Sequence, residues 1–110
     1  MGKPEGRIEK ALVARIKAIG GEIRKSVWVG KRGCPDRFVM LPTRHRVHVV
    51  TVAEGLGRWV RNPWVECKAP GEPLEDHQER EHKKMRDRGE LVLVIDTLAL
   101  IDRYFPLVVP

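Results

Sequence analysis

Two acids and a lysine beside apolar segments are the residues of this 110-residue chain that could do chemistry. Asp36 follows the sequence Gly-Cys-Pro and opens a short apolar run, and Glu66 and Lys68 lie two positions apart after Trp64 and Val65. Side chains at positions i and i+2 of a strand point to the same face, so Glu66 and Lys68 are predicted to lie side by side. Two carboxylates that come close repel each other unless a cation lies between them, and Mg²⁺ takes carboxylate and carbonyl oxygens. With a lysine to orient water or stabilise negative charge, these residue types suit phosphodiester hydrolysis.

The acid-x-lysine spacing is a weak signal by itself. Roughly one such match is expected by chance in this chain, and a second match, Glu81-His82-Lys83, lies in a charged segment. That segment is predicted to be helical, where positions i and i+2 diverge, so the second match is predicted to belong to a solvated helix face. For the first match the alternatives are a cross-strand ion pair of Glu66 with Lys68 and a turn role for Asp36.

The elements that must position these residues are indicated by apolar periodicity and by turn residues. Residues 4–19 are predicted to form a helix, because apolar residues recur there at helical spacing before two glycines. Residues 53–63 are predicted to be a long loop or a hairpin tip, because they hold two glycines, an asparagine and a proline. The remaining predicted elements are strands over 22–30, 36–41, 44–52, 64–69 and 91–97, and helices over 74–88 and 98–105. The order α-β-β-β-β-α-β-α, with a helix crossing over to a final parallel strand, predicts an α/β fold with a mixed sheet flanked by helices.

Taken in order, these segments resemble a known nuclease family. The stretches "EGRIEKALVARIKAIGG", "GCPDRFVMLP" and "WVECKAPGEP", with the charged helix after them, resemble the virus-type replication-repair nuclease (VRR-NUC) domain, a member of the PD-(D/E)xK nuclease superfamily. They look most like its small stand-alone phage members, and the resemblance runs from about Glu5 to Tyr104. It implies one domain over residues 1–110 with a restriction-endonuclease-like core. Its motif positions here are Gly33, Pro35-Asp36, Glu66, Lys68 and Gln78.

The resemblance also implies a set of site residues. Mg²⁺ or Mn²⁺ would be held by Asp36, Glu66 and the backbone carbonyl of Cys67, while Lys68 acts on the attacking water. The family pattern has an acid on the first helix, which is matched to Glu9 as a catalytic residue and further metal ligand. Glu5, one helical turn earlier, is the competitor for that role. Gln78 would support the catalytic site or contact the DNA backbone.

One segment departs from the family pattern. The two motif strands are separated by residues 42–63, where family members often have a short hairpin, so an inserted hairpin or loop is predicted around 43–63. This segment places Trp59 among arginines, a combination that suits phosphate contact with base stacking. The alternative is an exposed hairpin with solubilising charge. The predicted DNA-contacting residues of the whole chain are Lys31, Arg32, Arg37, Arg44, Arg46, Arg58 and Arg61.

The composition is consistent with a nucleic-acid partner. The formal net charge is +6 and the sequence pI is about 9.7, a basic surplus that favours a polyanion. No run of about 18 apolar residues is present, and the amino-terminal stretch lacks the apolar segment of a secretory signal. Two cysteines are too few for a disulfide scaffold or a four-cysteine zinc site. We therefore expect a cytoplasmic protein, in a bacterium or a phage-infected host, without a membrane partner.

The function implied by the resemblance is a Mg²⁺- or Mn²⁺-dependent endonuclease for branched DNA, such as Holliday junctions or flaps. A homodimer would place two active sites on the two strands of a two-fold junction. Two alternatives stay open at this point. One is a basic DNA-binding module without catalysis, and the other is a nuclease subunit that acts with a helicase or another replication or recombination partner.

Overall fold

A four-stranded mixed sheet with helices on both faces forms the body of the computed structural model, which describes residues 4–50 and 57–108, with side chains for 5–47 and 59–108. Its strand order is β1-β2-β5-β6, and β3 and β4 pair with each other in a separate two-stranded sheet. Within the described residues, no helix is long and apolar enough to cross a membrane. The elements are α1 (Pro4–Ala18), β1 (Glu22–Lys25), β2 (Arg37–Met40), β3 (Val47–Val50), β4 (Gly57–Val60), β5 (Trp64–Cys67), α2 (Asp76–Asp87), β6 (Val92–Ile95) and α3 (Leu98–Tyr104).

The sheet directions match the mixed topology predicted from the sequence. The pairs β1–β2 and β2–β5 are antiparallel, whereas β5 and β6 are parallel and are joined by the α2 crossover. A parallel pair needs such a long connection, which explains why a helix follows β5 and not a tight turn. The predicted mixed α/β architecture is confirmed.

Different helices pack on the two faces of the sheet. Alternate residues of β5 separate them, because Val65 and Cys67 join the apolar core while Glu66 points to the other face and contacts α2. The core lies under α1 and α3, and Arg15 of α1 donates a hydrogen bond to the carbonyl of Phe105 just after α3. The core residues include Ile8, Leu12, Ile16, Ile23, Val39, Val65, Leu93, Ile95, Ile101 and Phe105.

Two details of the predicted elements are wrong. A strand, β4, lies where a loop or hairpin tip was predicted, so the order has one more strand than expected. The first strand ends at Lys25 and not at residue 30, because its partner β2 begins opposite Lys25 at Arg37. Beyond that register Val27 and Val29 are 74% and 99% exposed. The hairpin β3–β4 leaves the sheet, so β2 pairs directly with β5. Residues 51–56 of the predicted insertion lie outside the described part, and its status as an insertion stays a prediction.

Candidate active site

The carboxyl groups of Asp36 and Glu66 meet where β2 begins and β5 ends. The register pairs Arg37 with Val65, so the residue before β2 lies beside the last residues of β5. Asp36 accepts a hydrogen bond from the backbone N–H of Cys67 at 2.8 Å, and its carboxyl group lies close enough to that of Glu66 for the two to share a proton. The predicted convergence of the two acids is therefore present in the fold.

Pro35 explains why the ladder between β2 and β5 stops at this point. Continuing the register by two residues beyond the Arg37–Val65 pair, to the next hydrogen-bonded pair, would place residue 35 opposite Cys67. Proline has no N–H, so it cannot donate to the Cys67 carbonyl, and Asp36 instead accepts from the Cys67 N–H. The Cys67 carbonyl, which this register would turn toward β2, therefore receives no ladder hydrogen bond from residue 35. The sequence Pro-Asp thus ends the ladder at the residue pair where the Asp36 carboxyl group binds the Cys67 N–H.

Burial and mutual contact perturb both acids. Burial, the hydrogen bond with Glu66 and the charge of Glu66 raise the pKa of Asp36 from 3.8 to about 7. Burial also raises the pKa of Glu66, although the hydrogen bond with Asp36 and the charge of Lys68 act to lower it. Two carboxyl groups in this environment resist carrying two negative charges unless a cation is close to them.

Lys68 and Cys67 take opposite sides of β5. Lys68 is only 7% exposed, lies on the Glu66 side, and its charge acts on Glu66. Cys67 is fully buried in the apolar core, where burial and then the charge of Asp36 raise the pKa of its thiol to about 12. The Cys67 side chain is therefore a neutral thiol in the core, and only its backbone can serve the site.

The acids of α1 lie near the site, but Glu9 has its own partner. Arg37 Nη2 lies 2.6 Å from Glu9 Oε1, and both side chains are largely buried. The charge of Glu9 acts on Asp36, whereas the charge of Glu5 acts on Glu66. The structure places both acids beside the pair without separating their roles, and it ties Arg37, a predicted DNA contact, to Glu9.

Gln78 and His82 lie one turn apart on α2 and make different contacts. The Gln78 side chain accepts from the backbone N–H of Glu75 at 2.9 Å, which closes the capping box at the start of α2. His82 Nε2 lies 3.2 Å from Glu66 Oε1, and His82 is fully buried. The α2 contact to Glu66 is therefore made by His82, while a catalytic role for Gln78 stays a prediction.

The prediction that Glu81-His82-Lys83 forms a solvated face is wrong for two of its three residues. Glu81 and His82 are 6% and 0% exposed, and Lys83 alone is exposed, in an ion pair with Asp87. Met85 is also buried, one turn after His82. The sequence signal for this inward-facing side was the spacing of three residues between His82 and Met85. It was overlooked because the other residues around them in the helix are charged.

Gly33 brings the loop before Asp36 directly against α2. Its φ of +89° is in the left-handed region that favours glycine, and a Cβ added there would lie 2.5 Å from the His77 carbonyl oxygen. The same Cβ would lie 2.9 Å from Cβ of Glu81. The glycine of the Gly-x-Pro-Asp motif therefore permits the close approach of the loop that leads to Asp36 onto α2.

The predicted DNA-contacting residues lie on separate parts of the surface, some in the loop before Asp36 and others around the β3–β4 hairpin. Lys31 and Arg32 are exposed in the loop that leads to Asp36, where Lys31 Nζ lies 3.3 Å from Glu81 Oε1. Arg44, Arg46 and Arg61 are exposed around the β3–β4 hairpin. The side chain of Arg58 lies outside the described residues.

The oxygen donors at this site fit a hard divalent cation. Among the described residues, no group of three or more histidine, cysteine, aspartate or glutamate side chains is arranged to hold a metal ion. Mg²⁺, however, is commonly held by one or two carboxylates and otherwise keeps water. The contacting carboxyl groups of Asp36 and Glu66 and the carbonyl of Cys67 provide such a set, and its chemistry disfavours soft metals.

The fold and the acid pair together define a class of protein. A mixed sheet whose central antiparallel and parallel strands bring two carboxyl groups to one edge, next to a lysine, is the restriction-endonuclease-like α/β fold. No family model matches the chain. A solved structure described as "VRR_NUC domain" superposes with a TM-score of 0.71 at 31% identity, covering 93% of this chain and 94% of the other. "Putative nuclease p44" of Acyrthosiphon pisum secondary endosymbiont phage 1 is 40% identical over 93 residues, which are 84% of this chain and 83% of that protein. The chain belongs to the VRR-NUC family.

Proposed function

We propose that the protein is a metal-dependent DNA endonuclease that hydrolyses phosphodiester bonds. The observation that carries this proposal is the close approach of the half-buried carboxyl group of Asp36 to the buried one of Glu66, with the buried Lys68 at the same strand end. The name of the phage relative, a nuclease, and membership of the VRR-NUC family support the same activity.

Each side chain has a role that its surroundings allow. Asp36, Glu66 and the Cys67 carbonyl would hold Mg²⁺ or Mn²⁺, which would supply Lewis-acid activation of a phosphoryl oxygen and of water. Lys68 orients the attacking water or stabilises the charge that develops on the phosphate. His82 holds Glu66 in place through its 3.2 Å contact.

His82 is suited to this supporting role because it is neutral near pH 7. Burial and then the charge of Arg86 lower the pKa of the His82 imidazole to about 4. An ionised carboxylate only accepts hydrogen bonds, so the Nε2–H tautomer of His82 donates to Glu66 when that acid holds a cation. Such outer contacts orient metal-binding groups and tune their affinity.

Cleavage assays with supercoiled and branched DNA test the activity. We expect cleavage with Mg²⁺ or Mn²⁺, none with EDTA, and none by Asp36→Ala at saturating metal. A protein that binds DNA but cleaves none of these substrates with any divalent cation would be a non-catalytic DNA-binding module, contrary to the proposal. Activity that appears only on addition of a helicase would identify a nuclease subunit instead.

The substrate is proposed to be branched DNA, such as a Holliday junction or flap, acted on by a homodimer. The size of the domain supports a dimer, because a domain with a radius of gyration of 13.8 Å covers little of a four-way junction. A two-fold dimer would place one site on each of two equivalent strands. Light scattering and the positions of paired cuts on a junction test this, and a monomer that cuts linear duplex equally well would contradict it.

A further inference from the structure

A cavity separate from the acid pair lies between the β3–β4 hairpin and the end of α3. Its volume is about 510 Å³, which is within the range of pockets that bind small ligands. It opens beside Leu41, at the end of β2 opposite to Asp36. Five residues of extended chain separate the two points, a distance of about 16 Å. The cavity is therefore distinct from the candidate active site on the same strand.

The lining of this cavity is basic and aromatic. Trp59 of β4 is 60% exposed, and the Arg46 guanidinium lies over its ring at 5.6 Å from the centroid. Arg103 and Tyr104 of α3 also line the cavity. An exposed aromatic ring next to arginines is the arrangement on which nucleic-acid bases stack while their phosphates are neutralised. The described lining residues are Leu41, Arg44, His45, Arg46, Val47, Trp59, Arg103, Tyr104, Phe105 and Pro106, and none of them is an acid.

His45 adds an independent observation. Both of its ring nitrogens are buried, and neither has a hydrogen-bond partner within the described residues. Buried polar atoms without partners cost free energy, and a ligand in the cavity would lower that cost if the His45 ring turned toward it. An imidazole in its uncharged form offers one donor and one acceptor, as the edge of a base does.

We propose that this cavity binds an unpaired DNA base. The base would stack on Trp59, and the arginines around the cavity would contact the flanking phosphates. In a duplex the bases are stacked and paired, so only a base that has left the helix can enter such a pocket. The inference deepens the proposed function and rests on it, because it assigns a single-stranded segment of the substrate to a second site.

The separation of the two sites sets the geometry of the substrate. About 16 Å corresponds to roughly five stacked nucleotides of one strand. A duplex that enters the active site could therefore continue as a short single-stranded segment to the cavity. Flaps and the branch points of junctions offer such segments, whereas a blunt duplex does not.

Binding of short oligonucleotides to the full chain in EDTA tests the pocket. The probes are a fluorescein-labelled oligothymidylate, the same backbone with abasic sites, and a blunt duplex of equal length. We expect the wild-type protein to bind oligothymidylate about 5- to 150-fold more tightly than the abasic strand, which is the effect of stacking one base. Equal affinity for the two strands would overturn the proposal without any variant. Tighter binding of oligouridylate than of oligothymidylate would overturn DNA as the occupant.

Substitutions then assign the effect to the cavity. Trp59→Ala is expected to weaken oligothymidylate binding by the same factor and to leave abasic-strand and duplex binding unchanged, while Trp59→Phe keeps most of the affinity. Arg103→Gln is expected to weaken both single strands, because it removes a phosphate contact. Arg88→Gln, an exposed arginine outside the cavity, removes the same charge and is the matched control. An equal loss for all probes with Trp59→Ala, or an equal effect of Arg88→Gln and Arg103→Gln, would contradict the base pocket.

The failure of this inference and that of the nuclease are distinguishable. A protein that cleaves DNA but binds abasic and base-bearing strands alike has the activity without the pocket. A protein that binds oligothymidylate through Trp59 but cleaves nothing has the pocket without the activity. Thermal unfolding of each variant shows whether it still folds. If Trp59→Ala does not fold, the comparison of oligothymidylate with the abasic strand on the wild-type protein still tests the pocket.

Discussion

His82 Nε2 lies 3.2 Å from Glu66 Oε1, and both side chains are buried between β5 and α2. The pair joins the end of the motif strand to the crossover helix that follows it. Because a contact of this kind fixes the orientation of a metal-binding carboxylate, His82 is the residue of α2 on which the proposed site depends most directly. A positioning role is testable separately from catalysis.

Replacing His82 tests this support. We expect His82→Ala to weaken Mn²⁺ binding by about 10- to 100-fold and to lower cleavage at limiting metal, because Glu66 loses its donor. His82→Gln, whose amide can donate to Glu66, should recover much of the affinity. The control is His77→Ala on the same helix, since His77 contacts Arg32 and Glu75 and not the acid pair. Calorimetric Mn²⁺ titration is the measurement, and unchanged affinity in His82→Ala would refute the role.

Replacing Lys68 separates metal binding from the chemical step. We expect Lys68→Gln to lower cleavage by about 100-fold or more at saturating metal, because a charge-stabilising group is lost. Mn²⁺ affinity should stay equal or increase, because a positive charge near the site has been removed. Lys83→Gln in the second acid-x-lysine match is the control, since Lys83 is exposed and paired with Asp87. Wild-type cleavage by Lys68→Gln would exclude this lysine from the reaction.

The close approach of two carboxyl groups, buried for Glu66 and half-buried for Asp36, predicts that activity and stability of the metal-free protein oppose each other. Asp36→Asn should abolish cleavage and yet stabilise the metal-free protein by about 1 kcal/mol, or roughly 4–8 °C in Tm. The amide can still accept from Cys67 N–H and can donate to Glu66 without adding a second charge. Saturating Mg²⁺ should stabilise the wild type and not the variant. Calorimetric unfolding in EDTA and in Mg²⁺ measures both effects, and a lower Tm of the variant in EDTA would contradict the expected repulsion.

Gly33 offers a test of how the loop is held on α2. We expect Gly33→Ala to lose about 1–2 kcal/mol for its positive φ and a further 1–3 kcal/mol because the new Cβ meets the His77 carbonyl. Gly30→Ala in the same loop is the matched control, since its φ is +72° and a Cβ there meets nothing within 4 Å. Urea unfolding of both variants gives the difference. Equal losses would show that the close approach to α2 contributes nothing.

The site could be predicted from the sequence where its residues follow local patterns. Asp36, Glu66 and Lys68 belong to short motifs whose glycine, proline and alternation are visible in a few neighbouring positions, and the family they indicated is confirmed. His82 was missed because eight charged residues lie in the same helix, and only its three-residue spacing to Met85 indicated an inward face. Strand β4 was missed because glycine and asparagine near its ends resemble a loop.

The sequence by itself determined the spacing of apolar residues, the turns and the types of residue available for chemistry, because these depend on neighbours in the chain. Only the tertiary structure decided that β2 pairs with β5, that Glu66 faces His82 rather than solvent, and that Trp59 meets α3 across a cavity. Such contacts join residues far apart in the chain, and their register follows from the packing of whole faces, which no short stretch of sequence encodes.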